Sequence, residues 1–415
     1  MKHWGRLLLC GALLLGGGAA AAPGNVSAAG GVSIVLDGYP LPFPVEPAVM
    51  NGTTMVPFRA ISEALGISVQ WNQSAKVITA TGKTGETTKI VKLTIGSKTA
   101  QVNGTAVKLA VAPQTVRGTT MIPLSFFSQQ FGAAVSWNQA AKTVSITSPK
   151  EELYTLAFYA ISSYSQYNLL GGFDDAAFGW SRIGKDGEFT TTGGDFYWPQ
   201  AAGDVSPESI VQSASTSGQT PYLMVYSSDS SLELTKNLED AALQARTIDS
   251  IVNTAAEKGF KGIMLDLEGL GLTGDKAKAQ SDYNAFVRNL SAKARAQGLK
   301  LGIAVHPLNS SYGGYDYKTL GTLADELVIM AYAYGDEKSP EPADKVDEAI
   351  RLALKMTSKD KLVLGISLQS ENSSSVNTKI GLAKRYDLKG IAVWRLGLIA
   401  QAAWDQMNES IEFGN

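Results

Sequence analysis

Gly262-Ile-Met-Leu-Asp-Leu-Glu-Gly269 is the stretch on which the reading of this chain turns. Its apolar start has the composition of a buried strand, and it ends in two carboxylates at i and i+2. On a strand those positions project to one side. Asp266 and Glu268 therefore stand together, with Leu265 and Leu267 on the opposite face. Like charges that close push one pKa up, and a raised carboxyl pKa is what a general acid near neutral pH requires.

Outward from this run, strand signals recur at 153–160, 176–183, 221–227, 260–268, 300–306, 326–332, 361–368 and 389–394. Amphipathic helix patterns fall between them at 236–258, 279–297, 342–356 and 375–386. This alternation predicts an α/β fold, a (β/α)8 TIM barrel over residues 150–415. Lys361-Leu-Val-Leu-Gly-Ile366 is apolar on both faces, as a buried parallel strand should be. The Gly-, Ser- and Thr-rich region 184–220 reads as a long loop over the barrel mouth.

In such barrels the C-terminal strand ends line the active site. The fourth strand ends in Asp266 and Glu268, the sixth in Val328-Ile-Met-Ala-Tyr332 and the eighth in Ile391-Ala-Val-Trp394. A carboxylate pair, a phenol and an indole describe a sugar site: the indole gives a flat apolar floor and the phenol a hydrogen bond. Tyr159 and Tyr226, at the ends of the first and third strands, are further candidates to face the site, with capping of the core as the alternative. His306 before Pro307 reads as a structural strand-end residue. Gly335-Asp-Glu337 reads as a solvated loop, with lining of the groove as the alternative.

Upstream, Asn51-Gly-Thr-Thr-Met-Val-Pro-Phe58 matches Arg117-Gly-Thr-Thr-Met-Ile-Pro-Leu124, and Val69-Gln-Trp-Asn-Gln-Ser-Ala-Lys76 matches Val135-Ser-Trp-Asn-Gln-Ala-Ala-Lys142. The offset is constant, which marks an internal duplication within a small α+β domain over residues 30–149. Each copy predicts one helix, Ala60 to Leu65 and Phe126 to Phe131, stopped by Gly66 or Gly132. Trp71 and Trp137 read as core packing in preference to sugar stacking. Ser148-Pro-Lys-Glu-Glu152 is a polar joint. The repeat resembles the stalk-like module named from the N-terminus of copper amine oxidases. In secreted bacterial proteins that resemblance implies a wall-associated spacer or adhesive unit, here a contact with the cell wall. Copper binding is not expected, because the repeat has neither His nor Cys.

The second half resembles family-18 glycoside hydrolases, the chitinase-like barrels. Their strand-four motif, Asp-Gly-x-Asp-x-Asp-x-Glu, aligns with Lys261-Gly-Ile-Met-Leu-Asp-Leu-Glu268. Met330-Ala-Tyr332 matches the strand-six Met-x-Tyr, and Trp394 the strand-eight Trp. Lys300 to Pro307 and Tyr315-Asp-Tyr-Lys-Thr-Leu320 look like the spore-cortex-lytic branch. The resemblance implies a retaining, substrate-assisted hydrolase of N-acetylglucosamine-containing glycans (peptidoglycan, spore cortex or chitin), without a cofactor or metal. Glu268 would be the acid, Asp266 the orienter of the acetamido group and Tyr332 its hydrogen-bond donor. Trp394 would floor the subsite, with Met330, Tyr159 and Tyr226 as further substrate contacts. The chain departs from the motif at Lys261 and Met264, and Ala333 follows Tyr332 where many members have Asp. The alternative reading is a catalytically inactive, lectin-like wall protein.

Composition bounds these readings. The chain has 415 residues, 44% hydrophobic and 18% charged, with a net charge of −2. That length suits two or three domains. The charge gives no electrostatic case for nucleic acid or an anionic membrane. Lys2, His3 and Arg6, then Leu7 to Leu15, then Ala19 to Ala22 read as an export signal over 1–29. The expectation is a secreted or wall-associated protein, with no membrane contact after signal cleavage. Cys10, the single cysteine, lies within that signal, so no disulfides are expected in the mature chain.

Overall fold

The computed structural model describes residues 31–414 except Glu86. The export signal expected over 1–29, with Cys10, lies outside the described residues. Strands β1 (Tyr154–Ala160), β2 (Asp175–Ile183), β3 (Thr220–Ser227), β4 (Gly262–Leu267), β5 (Lys300–Val305), β6 (Glu326–Ile329), β7 (Leu362–Ser367) and β8 (Gly390–Trp394) form a parallel sheet in sequence order. β1 pairs with both β2 and β8, which closes the barrel.

Strand alternation divides the side chains into two sets. Leu156, Phe158, Tyr222, Met224, Met264, Val328, Met330 and Val363 fill the barrel interior. The opposite phase, such as Ile263, Leu265 and Leu267 on β4, packs against the surrounding helices. Met264 fits this interior because a Cβ on Gly302 opposite would stand 2.4 Å from its methyl. At the N-terminal end the interior is plugged by polar groups. Buried Glu326 pairs with Lys389, and the Tyr154 hydroxyl shares its one proton between Asp175 at 3.0 Å and Glu326 at 3.3 Å. A buried carboxylate needs such partners to offset its desolvation.

Several elements differ from the sequence reading. The helix expected over 236–258 is two, Glu233–Glu239 and Ala241–Glu257. Asp240 separates them in an extended conformation, and its carboxylate accepts from the Ala242 and Leu243 amides. The expected loop at 184–220 contains a helix, Pro207–Thr216. Ser206 and Ser209 cap it reciprocally at 3.0 and 3.1 Å. Tyr317–Leu323, capped by Asp316, and Gln401–Ser410 are also helical. The sixth strand stops at Ile329 and not at Tyr332. There the Ala331 and Tyr332 amides donate to carbonyls only two residues back, Ile329 and Met330, which curls the chain out of the sheet.

In the N-terminal region, Thr53–Pro57, Phe58–Ala64, Ser68–Asn72 and Val77–Thr84 give strand, helix, strand, strand. The order repeats in Thr119–Pro123, Leu124–Gln130, Ala134–Asn138 and Thr143–Thr147. Thr53–Pro57 and Thr119–Pro123 pair antiparallel across the middle. The left-handed residues recur at the same offset: Asn51 with Arg117, Gly66 with Gly132 and Lys76 with Lys142. The core expectation for Trp71 and Trp137 fails. Both lie on edge strands and are exposed, 37% and 46%. Ile61, Ile78, Leu93, Phe127 and Val144 fill that core instead.

This region is docked on the barrel. Arg385, at the end of helix Val376–Arg385, donates to the carbonyls of Leu36, Tyr39 and Pro40 at 3.1–3.3 Å. Lys384 reaches Ser148 Oγ and Pro149 O, each at 2.7 Å. The polar joint is thus tied down, and Glu151–Glu152 pairs in parallel with Ile411–Glu412.

Candidate active site

The C-terminal end of the barrel gathers the candidate side chains. On β4 the inward phase runs Met264, Asp266, and Glu268 follows just beyond the strand. Asp266 is 3% exposed, and its Oδ1 is buried without a hydrogen-bond partner. Glu268 keeps a third of its side chain exposed. The Glu268 amide still donates to Ser227 O at 2.7 Å, so the backbone under this carboxylate is held in barrel register. The next residue must turn sharply. Gly269 has φ +88°, and a Cβ there would fall 2.2 Å from Ser228 O, so only glycine fits.

Electrostatics separates the two acids. Burial, then the neighbouring Glu268 charge, pushes the Asp266 carboxyl well above the usual range. Burial, then Glu337, raises Glu268 to about 7. Glu337, read as a solvated loop residue with groove lining as the alternative, thus acts on the site through its charge. Burial and the carboxylates also raise two phenols. Tyr226 rises to about 12 through burial, Glu268 and Asp266, and Tyr332 rises well above its usual value through burial, Asp266 and Glu268. Both therefore keep their proton and remain hydrogen-bond donors at neutral pH.

The aromatic wall is built by contact. Trp394 meets Phe158 edge-on at 5.3 Å between ring centroids. Tyr226 stacks on Phe196 at 4.2 Å, and Phe196 lies 6.3 Å from Trp394. Met330 is buried in the interior wall beside this cluster. Tyr159 does not reach the site. It faces outward among Phe178 and Trp180, at 5.4 and 5.9 Å, because strand alternation gives the inward position to Phe158.

Two residues at the mouth escaped the sequence reading of the site. His306 was read as structural, yet its Nε2 lies 3.6 Å from Glu268 Oε2. Burial lowers it to about 4, so the imidazole is neutral, and Tyr312 stacks on it at 3.9 Å. Its signal was phase, since it stands two residues past inward-facing Ala304. Phe196 comes from the loop after β2 and held no periodic signal.

Behind Tyr332 lies a buried ionic network. Both Glu341 carboxylate oxygens accept backbone amides, from Ala333 and Tyr334, each at 3.1 Å. The Glu341 amide donates to Glu371 at 2.9 Å, and Lys379 pairs with Glu371 at 3.2 Å. The network anchors the chain just past Tyr332, where Ala333 takes a left-handed φ of 61°.

Residues 225–371 match the model of the glycosyl hydrolases family 18. Over that span the barrel is similar to this family. The match runs from β3 to just past β7, so β1, β2 and β8, with Trp394, enter through the structure. Residues 35–146 match the copper amine oxidase N-terminal domain in a single span. The chain is 23% identical to the cortical fragment-lytic enzyme of Bacillus subtilis (strain 168), over 41% of this chain and 55% of that one. It is 29% identical to the Bacillus anthracis cortical fragment-lytic enzyme, over 32% and 31%. The chain thus spans about half or less of these relatives' lengths. Among solved structures, the barrel is similar to the Bacillus cereus spore cortex-lytic enzyme SleL, at TM-score 0.52 and 19% identity, covering 64% of this chain and 76% of that one. It is similar too to a Chromobacterium violaceum chitinase, at TM-score 0.52 and 20% identity, covering 62% and 98%. At these identities the structural likenesses speak for the fold.

Proposed function

We propose that the barrel hydrolyses β-1,4 bonds in N-acetylglucosamine-containing glycans of a cell wall, by retaining, substrate-assisted catalysis. The observation that carries this reading is Glu268, raised to about 7 beside buried Asp266 at the barrel mouth. A carboxyl titrating there is half protonated near neutrality, the condition under which a general acid is most effective. Glu268 protonates the departing glycosidic oxygen. The substrate's own acetamido oxygen closes on the anomeric carbon, and water later opens the resulting oxazolinium ring with Glu268 acting as base. Asp266 orients the acetamido N–H and offsets its growing positive charge. Tyr332 donates to the acetamido oxygen, and Trp394 supports the sugar ring. The names of the curated relatives favour cortex peptidoglycan fragments as the substrate class. Export and wall contact through the N-terminal region belong to the same reading.

The test is hydrolysis of chito-oligosaccharides and of purified muropeptide glycan by the wild-type chain and Glu268→Gln. Turnover lost in the variant, and absent from fully de-N-acetylated strands, is the expected result. One observation favours a second reading, a carbohydrate binder without catalysis: Met264 fills the interior below Asp266 and gives its carboxyl no partner. Sugar binding with no wild-type turnover on any of these glycans would select the binder.

A further inference from the structure

The N-terminal region carries two exposed indoles that the catalytic reading does not use. Trp71 and Trp137 occupy the same place in the two copies of the repeat, each near the end of an edge strand. Each donates its Nε1–H within its own turn, to Gln73 at 2.7 Å and to Gln139 at 2.8 Å. The turn behind each ring is tied by an asparagine. Asn72 Oδ1 accepts from the Ala75 amide at 3.0 Å, and Asn138 Oδ1 from the Ala141 amide at 3.0 Å. An indole whose N–H is already satisfied, on a braced turn, is held in one orientation. What it leaves to solvent is apolar ring surface, with Trp71 37% and Trp137 46% exposed. Around Trp71 that surface lies in a shallow depression with Gln70, Asn72, Gln73, Ser74 and Thr79.

The chemistry of this depression selects its ligand. It has one aromatic plane, several amides and hydroxyls, and no charged side chain. An anionic or cationic partner finds no counter-charge there. A β-1,4-linked hexosamine strand fits, because its equatorially substituted rings present axial C–H groups to an aromatic plane. Its hydroxyls and acetamido groups meet amides at the rim. Duplication supplies a second platform of the same kind, and the barrel supplies a third contact on the same chain. Joined weak sites gain affinity through effective concentration without any new contact.

We propose that Trp71 and Trp137 are twin stacking platforms for the N-acetylhexosamine strands of peptidoglycan, holding the barrel on the polymer it cuts. The ligand class rests on the reading of the barrel above, whereas the platforms rest on their own geometry.

The experiment is depletion of the full chain from solution by purified peptidoglycan sacculi, in a Glu268→Gln background that leaves the polymer whole. Trp71→Ala with Trp137→Ala is expected to weaken binding about tenfold or more. Each single substitution should lie between. The same Trp pair in the otherwise native chain should leave turnover of a soluble chitotetraose unchanged. Binding by the double variant equal to that of its parent overturns the proposal. Folding is checked by the unfolding midpoint. The native chain gives a readout free of substitutions: soluble glycan strands should protect Trp71 and Trp137 from hydroxyl-radical oxidation, and equal oxidation with and without glycan overturns the proposal. Trp-dependent binding together with no turnover of any glycan by the native chain would sink the catalytic reading and leave this one standing. Normal turnover with binding indifferent to both indoles would do the reverse.

Discussion

At the scale of single residues, the candidate site is set by two carboxyls whose pKa values burial raises. Glu268 moves from an ordinary value of 4.5 to about 7. Its folded value is raised, so the stabilisation of the neutral form is complete below about 4.5 and is lost as pH rises through about 7. In the proposed mechanism the acid form is also the catalytic one, so kcat/KM is expected to show an alkaline limb near 7. Glu337→Gln removes one cause of the rise and should move that limb to lower pH, as a pH–rate profile would show. Glu268→Gln should lower kcat about a thousandfold, within the range for loss of a general acid. Asp266→Asn should cut activity yet stabilise the fold by about 1–2 kcal/mol at pH 8, since an unpartnered buried carboxylate costs about that much. Denaturant unfolding at pH 4 and pH 8 should show the gap closing at the lower pH.

At the scale of elements, the segment after β6 shows how local geometry places a candidate functional group. The sheet ends at Ile329, and the chain curls through Met330 and Ala331 to bring Tyr332 to the mouth. Glu341 holds the next two amides, and Lys379 balances Glu371 beneath. Lys379→Met leaves Glu371 as an uncompensated buried charge and should cost about 3–5 kcal/mol in chemical denaturation. Glu341→Ala frees the segment without touching substrate. It should lower kcat about tenfold by misplacing the Tyr332 hydroxyl, and Glu341→Gln, which keeps one acceptor, should recover part of that loss.

At the scale of the whole molecule, the N-terminal region and the barrel meet through backbone carbonyls. Arg385 caps three of them, and Lys384 ties down the joint at Ser148 and Pro149. Both cations sit on one barrel helix, so the two regions are held at a set orientation and not strung on a free linker. Arg385→Ala with Lys384→Ala should raise the rate of protease cutting within 148–152 about tenfold, through more frequent local opening. The barrel's unfolding midpoint should change little.

Periodicity alone marked all eight barrel strands to within a few residues, because a buried parallel strand must be a short apolar run. The i, i+2 spacing put Asp266 and Glu268 on one side for the same elementary reason. A short helix set in turn-rich sequence was not legible that way. Pro207–Thr216, opened by Ser206-Pro207, carries its apolar stripe on only Ile210, Val211 and Ala214, and the Gly, Ser and Thr around it read as loop. Tyr159, near a strand end, was open to two readings, facing the site or capping the core, and strand phase turns it outward into the core. Which side chains share the site was decided in three dimensions. His306 and Phe196 come from different loops, and only barrel closure brings them to Glu268 and Trp394. Burial raises the two carboxyls, and burial belongs to the assembled barrel and not to any segment of its sequence. Trp71 and Trp137 teach the same lesson in reverse. A large aromatic reads by default as core, and the edge position of their strands leaves them at the surface.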